Sequence, residues 1–221
     1  MMPLKLPKAV IFDMDGTLIN NYPFHLKAWQ IICEKYSAPR SIDDIIRDLH
    51  GTNFEVCQNF FGNDITFEES ERIGNEKEAL YREIYRPHIA PVEGLITLLQ
   101  FFRNSGIPLA VGTMGNKANA DFTLDTLGIR HFFKAVHTAE EVSKGKPDPE
   151  IFLTCLKSIT HESLQSQELW VFEDTSSGIT AAINAGGTAF GILTSKTEED
   201  LSACGATHCA KNYEEILKLV C

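Results

Sequence analysis

The stretch Ala9-Val10-Ile11-Phe12-Asp13-Met14-Asp15-Gly16-Thr17-Leu18 decides how the chain is read. Its first four residues are apolar, rich in β-branched and aromatic types, and bounded by polar ones, which predicts a short buried strand. The strand runs directly into two carboxylates spaced i, i+2, followed by a glycine. Acids at the mouth of an apolar strand repel each other, and desolvation disfavours their charged forms. Such a placement costs stability, so it points to chemistry that needs the acids: a divalent cation and an anionic phosphate.

Asp-x-Asp-Gly also occurs in calcium loops. An EF-hand would place further oxygen ligands at alternate positions and a glutamate at the twelfth. Counted from Asp13, the twelfth residue is Phe24, and Thr17, Leu18 and Ile19 follow the glycine, so that pattern fails.

The rest of the chain fits an enzyme of one main domain with an insertion. Its 221 residues can bury a sizeable core. A formal net charge of -10 opposes general binding to nucleic acid, which needs a basic surface. It does not oppose a small anion, because a bound metal and a lysine can reverse the field locally. Met1 to Lys8 lacks an apolar core of signal-peptide length, and no segment is long enough to span a membrane, so a cytoplasmic location is expected. The six cysteines form no C-x-x-C pair. A zinc site from Cys204, His208 and Cys209 lacks a second ligand pair, and Ala206 to Ala210 reads better as a strand. No protein partner motif is legible.

Beyond Leu18 the periodicity becomes helical. Phe24, Ala28, Ile31 and Ile32 share a face around Trp29, and Pro23 sits in the first turn, where its missing N–H costs little. Helical signals continue over Ile42 to Leu49, Phe54 to Phe61 and Thr66 to Tyr85, the last opened by a capping box of Thr66 and Glu69. No strand signal appears there. From Pro91 strands and helices alternate: helix 93–104, strand 109–112, helix 117–127, strand 135–137, helix 149–158, strand 169–172, helix 176–184, strand 188–193. The expected fold is a doubly wound, Rossmann-like α/β domain with a parallel sheet, formed by residues 1–19 and 87–221, with an all-helical unit of residues 20–86 inserted. Ligands of such sheets bind beyond the carboxyl ends of the strands.

Four strand ends or nearby loops carry candidate chemistry. Asp13 and Asp15 close the first strand. Thr113 closes the second, where a hydroxyl and adjacent N–H groups can hold phosphate oxygens. Lys146 lies in Lys144-Gly145-Lys146-Pro147-Asp148-Pro149, which the prolines are expected to keep stiff and extended, and its ammonium can offset charge on a nucleophile. Glu173 and Asp174 close a further apolar strand, and Asp174 is also a candidate helix cap. Hard oxygens from two strand ends suit Mg2+.

In this order the four motifs resemble those of the haloacid dehalogenase superfamily, and the resemblance spans the chain from about Lys8 to Asn212. It implies that Asp13 is a nucleophile that takes a phosphoryl group, that Asp15 is the general acid and base, and that Thr113 and Lys146 grip the phosphoryl oxygens. It implies Mg2+ bound by Asp13, Asp174, Glu173 and the main-chain carbonyl of Asp15. The stretch 20–29 resembles the first cap helix of the β-phosphoglucomutase-like subfamily, which includes sugar-phosphate phosphatases. By that resemblance His25, Gly51, Lys77 and Asn116 contact substrate, and the helical unit is a cap that opens and closes on links near 18–21 and 86–92. The mutase carries a phosphate-binding arginine where this chain is aligned to have Phe54. A phenyl ring cannot replace a bidentate clamp, although Arg47 or Arg72 offers a charge nearby in sequence. The expectation is therefore a Mg2+-dependent phosphatase of small phosphorylated sugars or polyols, with a phosphohexomutase as the alternative. A non-catalytic phospho-switch would need neither Asp15 nor a helical cap.

Overall fold

The computed structural model describes residues 3–49 and 52–220. In chain order, strand β1 (Ala9–Phe12) is followed by four helices, α1 (Tyr22–Lys35), α2 (Ile42–Asp48), α3 (Asn53–Phe61) and α4 (Phe67–Tyr85). Then come α5 (Leu95–Asn104), β2 (Leu109–Gly112), α6 (Lys117–Thr126), β3 (Ala135–His137), α7 (Glu150–Ile159) and β4 (Leu169–Glu173). The chain finishes with α8 (Ser176–Asn184), β5 (Thr188–Ile192), α9 (Glu198–Ala203), β6 (His208–Ala210) and α10 (Tyr213–Val220). Two compact units result, one of residues 1–20 and 90–221, the other of 21–89.

The first unit is built on six strands, all parallel, in the order β3-β2-β1-β4-β5-β6. Both faces of the sheet are covered, which is why its central strands are apolar without interruption. Side chains alternate between faces along each strand. Val10, Phe12, Trp170 and Phe172 enter one core layer with Leu98, Phe102 and Ile216 of α5 and α10. Ala9, Ile11, Leu169 and Val171 enter the other with Phe152 and Ile179 of α7 and α8. Strand order reverses between β1 and β4, the place where such sheets open a crevice at their carboxyl edge. Register pairs Phe12 with both Val111 and Phe172, so Asp13, Gly112 and Glu173 leave the sheet at one level.

The helical unit packs α1 to α4 around Leu26, Trp29, Ile32, Ile45, Val56, Phe60 and Ile73. Thr66 and Glu69 form the expected capping box on α4, and Thr52 with Glu55 forms a second on α3. Among the described residues no helix is long and apolar enough to cross a membrane.

Some expectations are corrected. Helix α5 begins at Leu95 rather than Glu93, because Gly94 before it is left-handed. Helices α9 and α10 complete the chain beyond the elements read from sequence. The segment at Lys146 is not extended: the Lys146–Pro147 bond is cis, and Asp148 N–H donates to the Gly145 carbonyl at 3.1 Å, closing a turn. The side chain that caps α8 belongs to Thr175, whose hydroxyl accepts from Gly178 N–H at 3.1 Å, and not to Asp174.

Candidate active site

The carboxyl edge of β1, β2 and β4 gathers most of the acids and hydroxyls singled out above. Asp13 follows β1 and is 6% exposed; its N–H donates to the Phe172 carbonyl at 2.9 Å, an extension of the ladder that locks the residue to β4. Lys146 Nζ donates to Asp13 Oδ1 at 2.5 Å and to Glu173 Oε1 at 2.6 Å. Its ammonium lies over the Phe152 ring, with Nζ 4.8 Å from the centroid. Glu173 Oε2 accepts from Asp174 N–H, Thr175 N–H and Thr175 Oγ1 at 2.9 to 3.0 Å. Both oxygens of Glu173 are therefore engaged within the protein. This carboxylate acts as a bracket that joins the lysine to the start of α8.

Space for the bracket depends on Gly178 in α8: a methyl group there would lie 1.9 Å from the Glu173 carboxyl carbon. Gly16 serves Asp174 in the same way. Its φ is +79°, a conformation that side chains disfavour, and a Cβ there would lie 2.0 Å from Asp174 Oδ2. The glycine of the Asp-x-Asp-Gly motif thus lets the first loop pass against the second acidic strand end.

Carboxylate oxygens of Asp13, Glu173 and Asp174 lie within 4.8 Å of one another, and all three residues are buried. Among the described residues one ammonium, that of Lys146, is paired with acids of this cluster. Burial pushes the Asp13 carboxyl well above its usual range, the charges of Glu173 and Asp174 add to this, and Lys146 opposes it. Asp174 is pushed up to about 7, again by burial first and then by Glu173. Burial works against the Lys146 charge, but its two carboxylate partners hold it above the ordinary lysine value. A buried surplus of negative charge on hard oxygen donors fits a divalent cation of the magnesium type. Asp13 and Asp174 have oxygens left to offer it, whereas Glu173 is already bonded on both sides.

Thr113 is 1% exposed, and its hydroxyl accepts from Gly115 N–H at 2.9 Å. A Cβ on Gly115 would lie 3.1 Å from Asp15 Oδ2 and 3.2 Å from Thr113 Oγ1, so both groups border this glycine. Asp15 also lies near enough to help raise Asp174. Asn116 caps α6, its Oδ1 accepting from Asn119 N–H at 2.9 Å, which commits that oxygen to the helix.

In the helical unit His25 and Lys77 meet. Lys77, 4% exposed, donates to His25 Nδ1 at 2.7 Å and pairs with Glu78 at 2.7 Å. The imidazole stacks on Tyr81 at 3.8 Å, and its pKa is lowered to about 3 by burial and then by the Lys77 charge. A neutral ring accepting at Nδ1 carries its proton on Nε2. The Asn21 carboxamide lies 3.2 Å from that nitrogen, so its oxygen rather than its nitrogen should face the ring. Arg47 is tied to Asp44 and Asp48, and Arg72 to the Tyr36 hydroxyl. Gly51 lies outside the described residues.

Sequence reasoning missed a set of hydroxyl contacts behind the acids. Thr17 Oγ1 lies 3.4 Å from Asp174 Oδ1, and Thr194, Ser195 and Tyr213 bond to main-chain carbonyls of the two acidic loops. The signal for Thr194 and Ser195 was their place just past β5, a strand end like the others. Tyr213, in α10, carried none.

The family described as haloacid dehalogenase-like hydrolase matches residues 10–192. The fructose-1-phosphate phosphatase YqaB of Escherichia coli (strain K12) is 31% identical over 178 residues, covering 80% of this chain and 92% of that protein. The β-phosphoglucomutase of Bacillus subtilis (strain 168) is 28% identical over 194 residues, covering 84% and 83%. The crystal structure of a HAD hydrolase, family IA, variant 3, from Entamoeba histolytica superposes with a TM-score of 0.86 at 28% identity, over 96% of this chain and 97% of that one.

Proposed function

The chain belongs to the haloacid dehalogenase-like hydrolases, and on that premise we propose that it is a divalent-metal-dependent phosphatase of small phosphorylated sugars or polyols. The observation that carries this reading is the buried cluster of Asp13, Glu173 and Asp174 around the ammonium of Lys146. The E. coli relative, a fructose-1-phosphate phosphatase, supports the substrate class.

Asp13 and Asp174 would hold Mg2+ through carboxylate oxygens and Asp15 through its main-chain carbonyl, with Glu173 as the bracket of Lys146. Bound there, the cation would neutralise the acids and polarise the phosphoryl group. Asp13 attacks phosphorus in line, so that the P–O bond to the alcohol breaks as the aspartyl phosphate forms. Asp15, in its protonated form, gives its proton to the departing alkoxide. As a carboxylate it then takes a proton from the water that attacks the aspartyl phosphate, which returns Asp13 and releases phosphate. Thr113 and Lys146 hold the equatorial oxygens, where charge accumulates. His25, Gly51 and Lys77 are proposed substrate contacts from the helical unit, and Asn116 is a proposed one from the sheet unit.

The test is phosphate release from a panel of sugar, polyol and nucleotide phosphates, with Mg2+ and with chelator. Metal-dependent release from one or a few members, lost in Asp13→Asn, is expected. Full activity of Asp13→Asn would show that another group is the nucleophile. The B. subtilis relative, a β-phosphoglucomutase, favours a second reading as a phosphohexomutase. The panel therefore includes β-glucose 1-phosphate with and without glucose 1,6-bisphosphate. Isomer conversion without net phosphate release would support the mutase.

A further inference from the structure

The two acidic loops are held by hydroxyls that come from the far end of the chain. Tyr213 is fully buried in the first turn of α10, with its ring edge-on to Phe12 at 6.0 Å and to Phe172 at 5.6 Å. Its hydroxyl donates to the Thr17 carbonyl at 3.1 Å. Thr194 donates to the Gly16 carbonyl at 2.5 Å, and Ser195 donates to the Asp174 carbonyl at 2.7 Å. Thr194 and Ser195 follow β5, which pairs directly with the strand that carries Glu173. Two donors thus grip the loop after Asp15, a third grips the strand end at Asp174, and Thr17 Oγ1 lies between the loops, 3.4 Å from Asp174 Oδ1.

We propose that Tyr213, Thr194 and Ser195 are positioning residues that set the spacing between the Asp13–Thr17 loop and Asp174, and thereby the affinity of the site for its divalent cation. The proposal rests on the metal-dependent reading given above. Two features make the clamp more than packing. Each donor bonds to a main-chain carbonyl at or beside a motif residue, so it fixes the backbone from which the acid projects. Lys146 joins Asp13 to Glu173, but the charge of Asp174 acts against both of these acids, and the hydroxyl ties hold the loops against that repulsion. Groups that orient ligands from behind change metal affinity by roughly 10- to 100-fold when removed. Tyr213→Phe deletes one oxygen and keeps the ring, which isolates the bond from the packing.

The experiment measures Mg2+ affinity by isothermal titration of the full chain, alongside kcat and KM across a Mg2+ series. The variants are Tyr213→Phe, Thr194→Val and Ser195→Ala. Thr194→Ser serves as rescue, and Thr188→Ala as a control that removes a hydroxyl-to-carbonyl bond (3.0 Å, to Ser166) on the surface. Tyr213→Phe and Thr194→Val are expected to bind Mg2+ roughly 10- to 100-fold more weakly, and Ser195→Ala to weaken in the same direction by less, since the residue is exposed. Activity should return as Mg2+ is raised, with KM for the phosphate ester at saturating metal within about twofold of the parent, and Thr194→Ser and Thr188→Ala should bind as the parent does. A lowered melting temperature with unchanged Mg2+ affinity would overturn the clamp and leave the metal site standing. A parent protein that binds no Mg2+ would overturn the metal reading and the clamp with it. If Tyr213→Phe does not fold, the exposed Ser195→Ala carries the same comparison.

Discussion

Replacing Lys146 with methionine tests the electrostatic account of the site. The substitution keeps an unbranched side chain over Phe152 but removes the cation that faces Asp13 and Glu173. Two hydrogen bonds to carboxylates disappear, at 2.5 and 2.6 Å, each contributing about 1.5–3 kcal/mol, together with a longer one to the Gly112 carbonyl at 3.3 Å. Glu173 keeps its three donors on Oε2, which limits its share of the loss. The methionine also no longer carries the cost of burying a charge. The remainder is about 3–5 kcal/mol, the range for breaking a buried pair by removing one partner. Urea denaturation in chelator reads this. The two units need not unfold together, so the assay is best run in a Trp29→Phe background, which leaves Trp170, packed in the sheet beside Phe190, as the only tryptophan. With a slope of about 2–3 kcal/mol per molar, the midpoint should fall by about 1–2.5 M. Adding Glu173→Gln should restore part of the loss, as coupled neighbours do. Turnover should fall by at least about 100-fold, as when a donor to developing charge is removed. A loss below about 1 kcal/mol would mean that the ammonium and the carboxylates are not paired in solution, and the charge-surplus argument for a metal would lose its basis.

Other perturbations probe separate parts of the structure. Gly178→Ala normally favours a helix by up to about 1 kcal/mol; here the methyl would meet the Glu173 carboxyl, so a loss of about 1–3 kcal/mol and a lower kcat are expected, and a stabilised variant would contradict the bracket. Mg2+ at 100 times its Kd should stabilise the protein by about 2.7 kcal/mol, and Asp174→Asn should abolish the effect in the same thermal scan; an equal gain in that variant would place the ion elsewhere. His25 has a folded pKa lowered from 6.5 to about 3. Its contribution to stability is therefore complete above pH 6.5 and is lost as pH falls from 6.5 towards 3, at up to about 1.4 kcal/mol per unit. Comparing stability at pH 7 and 5 with that of His25→Gln checks the sign, because the variant should lack this component, and an identical pH dependence would refute it.

The parts of the site that were legible share one property: each ends an apolar strand or sits in a local motif. Asp13 and Glu173 could be read because β-branched and aromatic runs precede them, and the parallel sheet then placed their strands side by side. The bonds of Glu173 could not be read. Nothing local shows that its carboxylate holds a lysine and three donors of the following turn. The cap of α8 was misassigned by one residue because Asp and Thr both cap well. The turn at Lys146 is closed by a backbone bond that the prolines around it did not signal. Tyr213 was illegible for a different reason, since a tyrosine opening an amphipathic helix looks like core, and its hydroxyl acquires a task only when its ring packs against Phe12 and Phe172.

The bonds that assemble the acid cluster join residues 133, 157, 178 and 196 positions apart. The entropic cost of closing such loops grows only slowly with their length, so this does little to equilibrium stability. It does much to the order of events. During synthesis β1 and its two aspartates emerge first, yet their lysine, their bracket and their hydroxyl ties arrive in succession, with Tyr213 last. Until Lys146 arrives the acids have no cation from the protein, and the ties from behind are complete only with Tyr213. Competence for chemistry therefore waits on the segment of the chain that carries these ties. Proteolytic loss of α10 should silence the protein before it dismantles the sheet.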